Sequence, residues 1–145
     1  MPSSFEGSRK IKASPEKMLD LINNFQAYRE FLPGCLESSR LPDTDTDTDK
    51  GLICGKLVFS ILNKTYSFES ENETIGHEVQ IKQLEGPFLD FYALWSLEPI
   101  DENVTLVKFK ANFKLPLFLR IFGQQNLVDR IGGKFIEAFE QQLQK

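Results

Sequence analysis

One tryptophan, one histidine and two cysteines are the scarce side chains of this 145-residue chain, and each type could do a different chemistry. His77 could act as a general base, but it stands in a Gly76-His77 turn, and no serine or cysteine beside it forms a recognisable nucleophile motif. No catalytic residue is assigned. Cys35 and Cys54 have no CxxC spacing, so they read as small apolar side chains in a reduced setting rather than as a disulfide or a metal clip. Asp45, Asp47 and Asp49 occupy positions 1, 3 and 5 of a calcium loop, yet Lys50 replaces the glycine of position 6 and Lys56 the glutamate of position 12, so no metal site is expected. The indole N–H of Trp95 is a buried donor in search of an acceptor, either backbone or a ligand oxygen. Lys108, Lys110 and Lys114 share one strand parity and could meet phosphate.

Hydrophobic spacing shows which elements must position these groups. Residues 4 to 12 read as a first strand. Ser14-Pro15-Glu16-Lys17 is an N-cap with proline at the first helical position, and Met18, Leu19, Leu21, Ile22 and Phe25 give the helix that follows an apolar stripe. In the elbow Tyr28 to Cys35, Tyr28, Phe31 and Leu32 fall on one face of a helical turn stopped by Pro33. A strand over about 36–41 precedes the alternating Asp-Thr segment 43–49, a solvated loop. Between Leu52 and Ile75 the pattern is a hairpin turning at Asn63-Lys64. Strands follow over 79–84, over 91–97 with Pro99 ending the run, and over 107–113. From about Phe118 to Leu143 the period becomes helical, with Val128, Ile131, Phe135, Phe139 and Leu143 in register and Gly132-Gly133 in the middle. The order predicts an α+β fold: an antiparallel sheet of about seven strands, two short helices after the first strand, and a long C-terminal helix.

Length and composition set the remaining bounds. A chain of 145 residues fits one domain, here residues 1–145, large enough to bury roughly 70% of its unfolded surface. A net charge of −4 gives no footprint for DNA. No apolar run approaches the roughly 18 residues of a membrane span, and the first residues lack the apolar core of a signal peptide, so a cytoplasmic protein is expected. Thirteen phenylalanines from Phe5 to Phe139 must mostly point inward, either as plain core or as the wall of a cavity.

Three local motifs, taken in order, carry a resemblance. The elbow Tyr28-Arg29-Glu30-Phe31-Leu32-Pro33-Gly34-Cys35, the segment Glu85-Gly86-Pro87-Phe88 followed by Trp95 and Pro99, and Ala138-Phe139 resemble elements of the coenzyme Q-binding family. That family belongs to the START-like (helix-grip) group within the polyketide cyclase/dehydrase superfamily and includes ribosome association toxins. Arg29 stands where the family usually has proline, and the Asp-Thr loop is not a family element. The resemblance implies a sheet curved around the last helix, with a lipid-sized cavity between them that holds ubiquinone or a similar isoprenoid quinone in support of cellular respiration. No other cofactor is implied. It equally implies an alternative, a toxin that binds the large ribosomal subunit and blocks subunit association.

On the ligand reading the lining is Tyr28, Phe31, Leu32, Phe59, Phe68, Phe88, Phe91, Trp95, Phe109, Phe113, Phe122 and Phe135, with the elbow capping one end. The two helix glycines would leave room beside the helix, Trp95 would donate to a quinone carbonyl, and the inward parities are almost wholly apolar. Leu115 to Phe122, the densest apolar segment, would gate the cavity or touch a membrane surface during lipid loading, or else simply start the helix. On the ribosome reading the contact row is Lys108, Lys110 and Lys114.

Overall fold

The computed structural model describes residues 2–41, 52–61, 63–116 and 125–145. Seven strands form one antiparallel sheet: β1 (Pro2–Ile11), β2 (Cys35–Arg40), β3 (Leu52–Ile61), β4 (Lys64–Ile75), β5 (Glu78–Glu85), β6 (Asp90–Asp101) and β7 (Val104–Lys114). Their order across the sheet is β1-β7-β6-β5-β4-β3-β2, so a meander runs from β2 to β7 and β1 closes beside β7. Helices α1 (Pro15–Asn23) and α2 (Tyr28–Phe31), joined by a 3₁₀ turn over Phe25–Ala27, separate β1 from β2, and α3 (Gln125–Leu143) follows β7. This is the α+β arrangement expected from the spacing and the helix-grip fold that the resemblance implies.

Each element forms for a local reason. Ser14 Oγ accepts from the Lys17 N–H at 3.3 Å and caps α1, with Pro15 in the first turn. The elbow is fixed to β2 by buried Ser38, whose Oγ accepts from Arg29 N at 3.0 Å and donates to the Gln26 carbonyl at 3.2 Å. Gly34 takes φ +80°, the left-handed conformation that lets the chain turn into β2. Pro99 does not end its strand. β5 stops pairing where Glu78 meets Ser96, so the side of β6 on which a Pro99 N–H would donate has no neighbour, and the strand runs on to Asp101 past a bulge.

Of the two helix glycines, Gly132 differs from expectation. At Gly132 the room is already taken: a β-carbon there would lie 2.4 Å from Cδ1 of the Phe5 ring, so the glycine receives an aromatic from β1 rather than leaving a void. Gly133 has nothing within 4 Å of that position. Arg9 and Glu140 add an ion pair of 2.6 Å between β1 and α3. The helical reading of residues 118–124, the proposed gate beyond Pro116, Phe122 and the Asp-Thr loop lie outside the described residues. Leu115 is buried.

Candidate functional site

Alternation on the strands places Phe91, Ala93, Trp95 and Leu97 of β6 and Val107, Phe109, Ala111 and Phe113 of β7 on the inner face, in register Phe91 with Phe113, Ala93 with Ala111 and Trp95 with Phe109. Two aromatic groups result. In the first, Trp95 packs on Phe109 at 4.5 Å, on Phe139 at 5.1 Å and on Phe135 at 5.7 Å between ring centroids. Phe139 in turn meets Tyr28 at 5.4 Å and Phe31 at 5.1 Å edge-on. In the second, Phe68, Phe88, Phe91 and Phe113 surround one another at 5.1 to 6.4 Å. Between the two groups the sheet surface drops to the alanine pair Ala93 and Ala111.

The predicted lining residues therefore divide. Tyr28, Leu32, Phe68, Trp95 and Phe109 are buried. Phe31 of the elbow, Phe59, Phe91 and Phe113 of the inner face, Phe88 of the loop before β6 and Phe135 of α3 are half-buried. Rings fill the space between α3 and the inner faces of β6 and β7, and on β3 the inner-face residues Ile53, Leu57 and Phe59 are half-buried. The elbow is part of the packed core: the Tyr28 phenol donates to the Ile22 carbonyl at the end of α1, and burial, with the nearby Cys35 thiol second, pushes its pKa far above the usual tyrosine range. Burial also raises the Cys35 thiol. Cys35 and Cys54 are half-buried rather than fully enclosed.

The inner face is less apolar than its sequence suggested. On β4, Ser70 and Asn72 are buried and Thr74 is half-buried, all on the same parity as Phe68. Reading that parity forward from Phe68 would have found them, but three polar residues in a strand give no hydrophobic signal. Two buried polar atoms among the described residues lack a protein partner: Trp95 Nε1 and Asn72 Oδ1. Such atoms are costly unless something outside the chain satisfies them. Phe25 and Phe139 complete the core and were likewise not among the expected lining.

The remaining candidates are simple. His77 is exposed, 4.0 Å from Glu16, in the predicted turn. No cluster of three or more potential metal ligands occurs among the described residues. Lys108, Lys110 and Lys114 are exposed on the outer face, where Glu6 lies opposite Lys110 and Asp90 opposite Lys114. Among the described residues an open groove of about 340 Å³ lies at His77, Ser96 and Lys108, and another of about 240 Å³ lies between β1 and α3. No helix among the described residues is long and apolar enough to cross a membrane.

A sheet gripping a C-terminal helix, with an aromatic inner face, defines the START-like fold. The profile of the family described as polyketide cyclase / dehydrase and lipid transport matches residues 11–136, and the chain belongs to that family. Among characterised proteins it is similar to the ribosome association toxin RatA of Escherichia coli (strain K12), 24% identical over 129 residues covering 89% of this chain and 79% of that protein. Among solved structures it resembles the Zhui aromatase/cyclase from Streptomyces sp. R1128, with a TM-score of 0.80 at 12% identity over 98% of this chain and 93% of the other. A START superfamily protein from Mycobacterium smegmatis gives a TM-score of 0.76 at 16% identity, covering 97% and 94%.

Proposed function

We propose that this protein binds a hydrophobic ligand carrying a polar oxygen on the inner face of the sheet, as a carrier or chaperone rather than an enzyme, and that the ligand is an isoprenoid quinone such as ubiquinone. One observation carries the reading: Trp95 is fully buried among aromatic rings, yet its indole N–H has no acceptor in the protein. A carbonyl oxygen of a bound ring would satisfy that donor, and the half-buried phenylalanines beside it would cover the ring and the start of its tail. The family's description as one of lipid transport and its cyclase-like fold support binding of this kind. Quinone rather than another lipid follows from the resemblance of the elbow, the Gly-Pro-Phe segment and Ala138-Phe139. A carrier of this type works from the cytoplasm with peripheral contact at the inner membrane face.

The test is lipid extraction and mass spectrometry of protein purified from its own host, followed by titration with a short-chain ubiquinone. Trp95 is the sole tryptophan, so quenching of its fluorescence reports the site directly. Co-purified quinone and saturable quenching are expected; absence of both would overturn the reading.

The second reading, association with the large ribosomal subunit, is favoured by the similarity to RatA and by the exposure of Lys108, Lys110 and Lys114. Glu6 and Asp90 offset two of the three lysines. Sucrose gradients after overexpression decide it, with accumulation of free subunits expected on this reading and an unchanged monosome peak refuting it.

A further inference from the structure

Asn72 is only 1% exposed, and its environment reads as a hydrogen-bond chain with two equivalent settings. Its Nδ2 donates to Asn23 Oδ1 at 3.4 Å, and Asn23 Nδ2 donates to Thr74 Oγ1 at 3.1 Å. Asn72 Oδ1 is left over as an acceptor without a donor. Turning an amide by 180° exchanges oxygen and nitrogen without changing its shape, and a hydroxyl serves as donor or acceptor. If both amides invert, Thr74 Oγ1–H donates to the Asn23 oxygen and Asn23 Nδ2 donates to the Asn72 oxygen. Asn72 then presents N–H groups where it had presented oxygen. The heavy atoms keep their places, and the unsatisfied atom changes from acceptor to donor.

The row on which Asn72 lies makes this relevant to a ligand. Asn72 pairs with Ile81, Ile81 with Ala93, and Ala93 with Ala111, so the amide stands at one end of the row of inward side chains that separates the two aromatic groups. Trp95 is one inward residue along β6 from Ala93 and two strands away from Asn72, about 12 Å between α-carbons from standard sheet spacings. A six-membered ring with oxygens on opposite sides fits between two side chains so separated. Trp95 can only donate, which suits a carbonyl or a hydroxyl oxygen alike. The Asn72 chain can do either.

We propose that Asn72 is a specificity-determining residue for a ring whose oxygens occur in both the carbonyl and the hydroxyl state, a quinone and its quinol, and that Asn23 and Thr74 set which state it accepts. This rests on the ligand reading above and adds to it that both redox forms are cargo. A carbonyl takes the N–H setting of Asn72 and a hydroxyl takes the oxygen setting, so neither form leaves a buried polar atom unpaired.

The probes are a ubiquinone with a single isoprene unit and the same compound chemically reduced and kept anaerobic, each titrated by quenching of Trp95 at pH 8. Wild-type protein should bind the two forms with Kd values within about three-fold of one another. Asn23→Asp supplies a carboxylate that only accepts, so it holds Asn72 Nδ2 and the Thr74 hydroxyl and locks Asn72 with its oxygen toward the ring. That variant should keep the quinol and lose about ten-fold in affinity for the quinone, the worth of one hydrogen bond. Asn72→Leu supplies an independent test and should weaken both forms about equally, also by about ten-fold. An unchanged quinone-to-quinol ratio in Asn23→Asp, or unchanged affinities in Asn72→Leu, would overturn the inference while leaving quinone binding intact. If wild-type protein binds neither form, the inference falls together with the ligand reading.

Discussion

Gly132 and Gly133 are neighbours in the middle of α3, and replacing each with alanine should move stability in opposite directions. Both substitutions gain the same helix propensity, about 1 kcal/mol per glycine replaced. Gly133→Ala meets nothing within 4 Å, so that gain should appear nearly whole. Gly132→Ala puts a β-carbon 2.4 Å from Cδ1 and 2.5 Å from Cε1 of Phe5, more than an ångström inside normal carbon contact. The Phe5 ring is buried on β1 and belongs to the core, so relief requires shifting a strand or the helix. Overpacking of this kind costs roughly 1–3 kcal/mol, which leaves Gly132→Ala between neutral and about 2 kcal/mol destabilised. Because the propensity gain cancels in the comparison, the difference between the two variants isolates the Phe5 contact. Urea unfolding followed by Trp95 fluorescence and far-UV circular dichroism measures it. With a slope of about 2 kcal/mol per molar urea, the midpoints should separate by roughly 0.5–1.5 M, Gly133→Ala being the higher. Adding Phe5→Leu should cost less in the Gly132→Ala background than in wild type, with a coupling of about 1 kcal/mol. Coincident midpoints for the two alanine variants would refute the claim that Gly132 exists to admit Phe5.

Phe139→Ala should destabilise by about 3–5 kcal/mol in the same assay, because the ring is fully buried and contacts Tyr28, Phe31, Trp95 and Phe135. Tyr28 predicts a pH dependence. Its folded pKa lies above the ordinary 10.0, so both states are protonated below pH 10 and nothing is lost there. Above pH 10 the unfolded phenol ionises while the buried one does not, and stability should fall by about 1.4 kcal/mol per pH unit from this group. Tyr28→Phe should make the alkaline limb of the urea midpoint shallower, at a cost near 1 kcal/mol at neutral pH for the lost bond to Ile22. Lys108→Glu with Lys110→Glu should leave the urea midpoint almost unchanged, since both side chains are exposed, and should reduce any sedimentation with large ribosomal subunits.

Periodicity located every described strand and helix, because each buries one face and the face repeats at two or at three and four residues. Strand ends were harder: Pro99 carries the sequence signal of a terminus, and only the early end of β5 explains why β6 passes through it. The glycines of α3 were visible as an anomaly, but a sequence does not say whether a missing β-carbon leaves a void or makes way for a ring from an element more than a hundred residues distant. The phenylalanines of the inner face were legible for the same reason as the strands. Ser70, Asn72 and Thr74 were not, since polar residues in alternation with Glu69, Glu71 and Glu73 look like a wholly solvated strand. Two of them are held from outside the sheet by the last residue of α1, Asn23, which reaches across to Thr74 and Asn72.

That polar stretch bears on how a grip fold selects its cargo. An aromatic wall alone is sequence-tolerant and ligand-tolerant, because every apolar surface gains by covering it, in rough proportion to area. Discrimination needs polar atoms that are buried and unpaired until the right partner arrives, since leaving them unpaired is what penalises the wrong one. This sheet carries two such atoms on the inner face, one on β6 and one on β4, and the strand between them contributes Val79 and Ile81. Replacing Trp95 by phenylalanine would keep most of the ring packing and remove only the donor. Binding of an oxygenated ring, read by equilibrium dialysis, should then weaken by about ten-fold, while binding of a hydrocarbon of similar size should hardly change. Equal losses for both ligands would mean that Trp95 acts by shape alone, and the chemical argument for an oxygen-bearing cargo would fail with it.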